Sequence, residues 1–146
     1  MLPTPRNYAI YPSVIPADRS VDMTIVPTEK AFLFTDGVEY VIGVTDMGAD
    51  EPYYHKPETR TYLKATAQNG ILRFTYTFPD EMEHLILLYR DEKLVQEFTV
   101  FSLFEDLYAL RPMRGDFHSH SFRSDGKRDP AALAGHFREQ GYDFFA

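Results

Sequence analysis

The chain has 146 residues, which suits one ordinary domain or a small domain with part of another. Its formal net charge is −7 and it contains no cysteine, which excludes disulfides, thiolate metal sites and a whole-chain basic footprint for nucleic acid. Neither a signal peptide nor an apolar run of the ~18 residues that a membrane helix needs is evident, so we expect a cytoplasmic protein without membrane contact.

The first part of the chain has the pattern of β-strands. Prolines in the first 20 residues indicate an extended lead-in, with an edge strand near Asn7–Ile10. Val21, Met23 and Ile25 then alternate with polar residues, which is typical of a half-buried strand. Aromatic residues make up 15% of the chain and favour a β-rich core over disorder.

Two turn signals predict tight two-residue hairpins, because their residues readily adopt positive φ. The paired apolar runs are 31–34 and 38–44 around Asp36-Gly37, then 59–66 and 71–78 around Asn69-Gly70. In the last run Leu72, Phe74, Tyr76 and Phe78 share one face.

A continuous apolar run, Leu85–Tyr89, predicts a central strand that is covered on both faces. A turn at 91–93 then leads into a further strand, Leu94–Leu103. The count of about eight strands predicts that residues 1–110 form an antiparallel, immunoglobulin-like β-sandwich, with a closed barrel as the alternative.

A polar loop at 46–57 separates two of these strands. We interpret it as a solvated loop, while a cation site or a binding loop is the alternative. The residues concerned are Asp46, Asp50, Glu51, Tyr53, Tyr54 and His55. His84 lies among acidic residues, and we expect a partly exposed side chain paired with a carboxylate rather than a ligand.

The strongest chemical signal lies in Gly115–Gly126. We predict a short strand at 116–120, in which side chains two apart share a face with Cα atoms roughly 6.6 Å apart. His118 and His120 could therefore direct their imidazoles at one cation. Asp125 follows in a turn and can return to the same cavity. Asp116 is expected to support a ligating histidine, and a plain strand-end carboxylate is the alternative.

A short amphipathic helix is predicted after this motif. Asp129 can cap its first turn, where Pro130 is well suited, and Gly141 lies just past its end. Leu133 and Phe137 share one face of this helix, and residues 142–146 again have the pattern of a strand. His136 is interpreted as an ordinary surface residue of the helix.

Residues 113–146 resemble the first motif of the polymerase and histidinol phosphatase (PHP) family. That pattern is Asp-aliphatic-His-x-His-Ser/Thr, then Ser-Asp-Gly, Pro, a helix and Gly-Tyr-Asp. The matching positions are Asp116, Phe117, His118, His120, Ser121, Ser124, Asp125, Gly126, Pro130, Gly141, Tyr142 and Asp143. The resemblance does not extend to the preceding β domain.

The resemblance implies a distorted (β/α)7 barrel with two or three divalent metals (Mn, Zn or Fe) at the C-terminal ends of its strands. It implies that His118 and His120 bind one metal and Asp125 a neighbouring one. A metal-bridging hydroxide would then hydrolyse the phosphate ester of a small phosphorylated substrate.

The chain stops at Ala146, before the strand ending in Thr-Asp-His and the later ligands of the family. We therefore interpret 111–146 as the truncated start of a PHP domain, inactive alone and holding at most a partial metal site, from a phosphoesterase parent. The acidic composition disfavours a nucleic-acid substrate. The alternative is that 1–110 is a ligand- or protein-binding module without catalysis, or a structural one that forms a homodimer.

Overall fold

The computed structural model describes residues 6–46 and 60–146. The chain divides into two compact units, Met1–Ala109, called the β unit here, and Leu110–Ala146, called the C-terminal unit. The protein is mainly β, with antiparallel sheets. No helix of the described residues is long and apolar enough to cross a membrane.

In the described part of the β unit, the strands form two sheets. Their strands are β1 (Tyr8–Tyr11), β2 (Val14–Pro16), β3 (Ser20–Pro27), β4 (Glu39–Asp46), β5 (Thr61–Thr66), β6 (Leu72–Thr77), β7 (Met82–Arg90) and β8 (Lys93–Leu103). One sheet has the order β1-β3-β6 and the other β2-β8-β7-β4-β5. Neighbouring strands are antiparallel, except that β2 runs parallel to β8. A 3-10 helix (Lys30–Phe32) precedes β4, and a short helix α1 (Glu105–Tyr108) follows β8.

One apolar cluster receives side chains from both sheets. In β3 the alternation predicted from the sequence is confirmed, because Val21, Met23 and Ile25 are buried while Asp22 is exposed. The second sheet contributes further buried residues, among them Tyr40, Ile42, Val44, Ile86, Leu88 and Val100. Burying each such side chain contributes roughly 1.5–3 kcal/mol, which makes this cluster the main source of stability in the β unit.

The predicted central strand is confirmed in β7. It lies between β4 and β8, and Leu85–Leu88 are all buried, so both of its faces are covered. The following turn brings β8 back antiparallel, with Arg90 opposite Lys93. Asp91 and Glu92 both have positive φ, 49° and 63°, although neither is a glycine or an asparagine.

The hairpin predicted at Asp36-Gly37 is wrong. A two-residue hairpin of the favoured type needs positive φ at both central residues, and here only Gly37 has it (80°). Val38 donates its backbone N–H to the Thr35 carbonyl at 3.2 Å, so a turn forms without a hairpin. The Asp36 carboxylate instead accepts a hydrogen bond from the backbone of Gly70 at 2.8 Å.

The turn predicted at Asn69-Gly70 is confirmed, whereas the hairpin built on it is wrong. Asn69 and Gly70 have φ of 54° and 73°, and Gln68 and Ile71 exchange backbone hydrogen bonds of 3.0 and 3.2 Å. Beyond that bridge the strands separate, since β5 pairs with β4 and β6 pairs with β3 in the other sheet. The turn is therefore a corner between the sheets.

The C-terminal unit is a β-α-β element. Its parts are β9 (Gly115–Asp116), α2 (Pro130–Glu139) and β10 (Phe144–Phe145), and the two strands pair in parallel. The predicted helix ends are confirmed: Asp129 accepts a hydrogen bond from the Ala131 N–H at 2.8 Å, and Gly141 has φ of 75°. Gly115 has no room for a side chain, because the ring of Phe144 lies against it.

The strand predicted at 116–120 is wrong beyond Asp116, where β9 ends. Oδ1 of Asp116 accepts a hydrogen bond from the backbone N–H of His118 at 2.7 Å. Such a local side-chain bond offers the backbone an alternative to strand pairing and turns the chain. His118–His120 consequently lie in an irregular loop rather than on one strand face.

Candidate metal centre

Residues His118–His120, called the histidine loop here, lie at the carboxyl edge of the two parallel strands. His118–His120 follow β9, and Ala146 follows β10. The backbone N–H of Ser119 donates to the Ala146 carbonyl at 3.0 Å, and the Ser119 hydroxyl donates to the same oxygen at 2.5 Å. The Ala146 N–H in turn donates to the Asp116 carbonyl at 2.9 Å. These bonds fix the loop to the end of β10.

The imidazoles of His118 and His120 face each other in this loop. Their ring centroids are 4.7 Å apart and the two Nε2 atoms are 2.7 Å apart. The predicted convergence of the two rings is therefore present, although a turn produces it and not strand alternation. Both residues are exposed, so a cation can reach the nitrogens from solvent. Neutral imidazole nitrogens are good ligands for zinc, iron and similar metals. The two Nε2 atoms are at hydrogen-bond distance here, and they would have to separate to about 3.3 Å to bind one tetrahedral zinc ion.

Asp125 contacts the other ring nitrogen of His120, Nδ1. The pKa of Asp125 is lowered, first by a hydrogen bond from its own backbone N–H and then by the hydrogen bond and charge of His120. A carboxylate on the second nitrogen of an imidazole fixes the orientation of the ring and makes it a more basic ligand. In this arrangement Asp125 supports His120, and its role as a ligand of a neighbouring metal stays a prediction.

A tight turn returns Asp125 to His120. The Ser121 carbonyl accepts hydrogen bonds from the backbone of Ser124 at 2.9 Å and of Gly126 at 3.0 Å. A side chain at Gly126 would collide with the carbonyl group of His120 and the backbone nitrogen of Ser121. Gly126 is thus required in this turn because the two backbone segments lie so close together.

Asp116 acts on the backbone of the site. Its carboxylate holds the N–H of His118, as described above, and the residue is half-buried. Asp116 therefore contacts His118 through the main chain, and its support of a ligating histidine stays a prediction. Among residues 6–46 and 60–146, no group of three or more His, Asp or Glu side chains is arranged to hold a metal ion. His118 contacts His120, and His120 contacts Asp125. The two ring nitrogens that face a cation are therefore the Nε2 atoms of the histidines.

His84 differs from its predicted description as a partly exposed side chain. It is fully buried, with Nδ1 2.9 Å from Oδ1 of Asp46 on β4 and Nε2 2.7 Å from Oγ of Ser102 on β8. Burial lowers the pKa of His84, while the hydrogen bond and charge of Asp46, and after them Asp80, oppose that effect. Its carboxylate partner comes from another strand and not from the acidic residues beside it in sequence.

The order Ser102–His84–Asp46 has the spacing of a nucleophile, a base and an orienting carboxylate. Ser102 is however buried, and its hydroxyl also contacts the backbone carbonyl of Asp80. A substrate cannot reach that hydroxyl, so we interpret the network as a structural link between β4, β7 and β8. The predicted alternative of a cation site in the 46–57 loop involves residues outside the described ones, apart from Asp46 itself.

A shallow aromatic groove lies on the outer face of the five-stranded sheet. It has a volume of about 280 Å³ and is lined by Val41, Tyr62, Tyr89 and Glu92. The ring centroids of Tyr62 and Tyr89 are 6.5 Å apart, and Arg60 donates to the Tyr89 hydroxyl at 3.4 Å. The sequence reasoning missed this groove, because its residues come from three strands and one turn.

Comparisons with known proteins give no family for this chain. No family model matches it, and no curated protein matches it. One solved structure with some similarity is the X-ray crystal structure of a "Putative Lipoprotein from Bacillus anthracis", which is 14% identical, with 66% of this chain and 73% of that chain covered and a TM-score of 0.45. Similarity at this level assigns neither a fold nor an activity.

Proposed function

We propose that the C-terminal unit is the first part of a PHP-type metal-dependent phosphoesterase, and that the parent protein hydrolyses a phosphate ester. The observation that carries the proposal is the contact between the Nε2 atoms of His118 and His120, with Asp125 on the remaining nitrogen of His120. These are the residues that the PHP-like motif assigns to metal binding, and they meet although they do not lie on one strand.

The β-α-β context supports the same proposal. Parallel strands joined by a helix are the repeating element of α/β barrels, whose active sites lie at the carboxyl ends of the strands. The histidine loop occupies that edge. Since Ser119 binds the carbonyl of Ala146, a residue following Ala146 would lie beside the two histidines. Ligands on a continuing strand would enter the site there.

Each residue of the candidate site then has a distinct role. A divalent cation bound by His118 and His120 would polarise a phosphoryl oxygen and lower the pKa of a bound water. Asp125 would hold the proton at Nδ1 of His120 when a cation takes the place of His118 at Nε2. Asp116 fixes the loop through the backbone of His118. With two ring nitrogens only, the 146-residue chain is expected to bind metal weakly and to have no phosphoesterase activity by itself.

Metal titration tests this proposal. Adding Mn²⁺ to the ¹⁵N-labelled chain should broaden the NMR signals of His118 and His120 and of the loop around them. The double variant His118→Ala/His120→Ala should lose this broadening. His136→Ala is the matched control, because His136 is an exposed histidine of the same unit. Equal broadening in the wild type and in the double variant would overturn the proposal.

We also propose that the β unit is an immunoglobulin-like sandwich. When its strands are lettered in chain order, β3 and β6 correspond to B and E in one sheet, and β4, β7 and β8 to C, F and G in the other. β5 then takes the place of C′ beside C. The shared core between the sheets supports this assignment. A cytoplasmic location stays a prediction.

A second candidate function for the β unit is ligand binding without catalysis, and the aromatic groove favours it. Two tyrosine rings offer apolar faces, and Glu92 offers a hydrogen-bond acceptor at the rim. This combination suits a saccharide, whose C–H faces stack on aromatic rings while its hydroxyls donate to a carboxylate. Tyr53 and Tyr54, which belong to the loop for which the sequence offers a binding role as the alternative, lie outside the described residues.

A further inference from the structure

The aromatic groove of the β unit has a cation at one of its ends. Arg60 directly precedes β5, and its Nη1 atom donates to the Tyr89 hydroxyl at 3.4 Å. Because Tyr89 lines the groove, the guanidinium of Arg60 lies at its rim. Along β4, Arg60 lies beyond the level of Val44, whereas Glu92 lies beyond the level of Val41. The cation and the carboxylate therefore lie at opposite ends of the groove.

A glycine in β4 brings Arg60 and Tyr89 together. A side chain at Gly43 would meet the stem of Arg60, Leu87 and the ring of Tyr89, each at 3.4 Å. Glycine inside a strand often marks a place where other groups approach the backbone closely. The aliphatic part of Arg60 thus covers the β4 backbone, while its charged end lies beside the tyrosine hydroxyl.

The guanidinium of Arg60 has hydrogen-bonding capacity that the protein leaves unused. Its Nε atom is buried and, among the described residues, has no hydrogen-bond partner. Within the same part of the chain Arg60 forms no ion pair. Its bond to Tyr89 is longer than the usual limit of about 3.2 Å, so it holds the side chain only weakly. A buried donor without a partner costs stability, and an acceptor supplied by a ligand would remove that cost.

The turn at the other end of the groove has a backbone that favours glycine. Glu92 has φ of 63°, and the two-residue turns that need such values are usually formed by glycine or asparagine. Residues held in this region of φ cluster at sites that clamp ligands. Glu92 therefore places a carboxylate at the rim of the groove, at a position where glycine would be less strained.

We propose that the aromatic groove binds a saccharide that carries a carboxylate, with Arg60 holding the carboxylate and Tyr62 and Tyr89 stacking on the sugar ring. This inference rests on the saccharide-binding function suggested for the β unit and narrows its ligand class. A planar carboxylate accepts two parallel hydrogen bonds from one edge of a guanidinium, and the Nε atom of that edge lacks a partner here. Uronic and sialic acids share this chemistry. Glu92 at the far end accepts hydrogen bonds from sugar hydroxyls, away from the bound charge.

Two matched pairs of probes test this inference, trigalacturonate with its methyl ester and 3′-sialyllactose with its methyl ester. Each ester keeps the sugar rings and removes the charge. Binding is followed by the amide signals of residues 60–64 and 87–92 in the ¹⁵N-labelled chain. In at least one pair we expect the acid to bind about tenfold more tightly than the ester, which corresponds to one charge-assisted hydrogen bond. Added salt should reduce this preference, and the pair that shows it distinguishes a uronic from a sialic acid.

The variant Arg60→Met keeps an aliphatic stem over Gly43 and removes the guanidinium. It should bind acid and ester equally, with the ester affinity of the wild type. Its melting temperature should not fall, because no buried donor is left without a partner. Arg73→Met is the matched control, since Arg73 is an exposed arginine of β6 in the other sheet. It should retain the tenfold preference for the acid.

Equal affinity for acid and ester in both pairs would overturn the inference and leave saccharide binding in place. A preference that survives in Arg60→Met, or that disappears in Arg73→Met as well, would also overturn it. A clear fall in the melting temperature of Arg60→Met would contradict it too, because Arg60 would then have a structural role. If neither acid binds, the inference is wrong, and if no glycan of an array binds either, the saccharide-binding function is removed with it.

Discussion

The two units use the same pair of chemical groups in opposite ways. In the β unit, His84 contacts Asp46 inside the protein and Ser102 occupies its other nitrogen. In the C-terminal unit, His120 contacts Asp125 at the surface and only a second histidine faces its other nitrogen. A histidine with a carboxylate is thus not a site by itself. In both cases the second ring nitrogen has a partner at 2.7 Å, so exposure to solvent decides whether the imidazole is a fixed structural part or an available ligand.

The largest expected effect comes from His84→Ala. The substitution leaves a cavity and removes partners from Asp46 and Ser102, so we expect the free energy of unfolding to fall by about 3 kcal/mol. Denaturant unfolding followed by tyrosine fluorescence measures it. His136→Ala, an exposed histidine, should change the value by less than about 0.5 kcal/mol. A loss below about 1 kcal/mol for His84→Ala would contradict the structural role.

The pH dependence of stability gives a second test of the same contrast. Burial lowers the pKa of His84 in the folded state below the ordinary value of 6.5. The folded state then binds the proton less tightly than the unfolded state, so the contribution is fully present above pH 6.5 and is lost as pH falls towards the folded pKa. The slope of this loss is at most about 1.4 kcal/mol per pH unit for one group.

Comparison of the wild type with His84→Gln isolates this contribution between pH 7 and pH 5. The difference in unfolding free energy should shrink as pH falls, because protonation penalises only the wild type. Asp46 and Asp80 also face His84 and oppose the shift. A difference that grows on acidification would mean that the charged pair of His84 with Asp46 is the stable form.

In the C-terminal unit the corresponding test is Gly126→Ala. The added methyl group would collide with the backbone of His120 and Ser121, so the turn must open and Asp125 must leave His120. Loss of a carboxylate behind a ligating histidine typically reduces metal affinity by about 10- to 100-fold, and we expect the lower end here. Gly135→Ala in α2 is the matched control, because nothing lies within 4 Å of the new methyl group. It should leave metal binding unchanged and stabilise the helix by roughly 0.5–1 kcal/mol.

Much of the β unit could be predicted because burial imposes a visible period on the sequence. The alternation in β3 reflects a strand with one covered face. The continuous apolar run in β7 reflects a strand with two covered faces. His84 could have been predicted as buried in the same way, since it has the parity of Ile86 and Leu88. Strand partners could not be predicted from turns. Asn69-Gly70 reverses the chain locally, but long-range burial decides that β5 and β6 join different sheets.

For the candidate centre, the contacts among the residues could be predicted and their backbone could not, and metal binding by these residues stays a prediction. The spacing of His118, His120 and Asp125 was sufficient to expect that they meet. The strand expected beneath them ends at Asp116, because the carboxylate of that residue binds the backbone two positions later. The period-two pattern of a strand does not include such a local hydrogen bond. His118 and His120 are neighbours as expected, but a turn and not a strand brings them together.

The smallest expected effect on stability concerns Tyr62→Ala in the aromatic groove. Tyr62 is 60% exposed, so its truncation should change the unfolding free energy by less than about 0.5 kcal/mol. If the groove binds saccharides, the same substitution should abolish retention on a glycan array, because one of the two stacking faces is lost. Tyr11→Ala removes an equally exposed tyrosine (59%) from β1 and should retain binding. If the wild type binds no glycan, or if both variants lose binding equally, the groove has no such role and the C-terminal unit carries the remaining functional proposal.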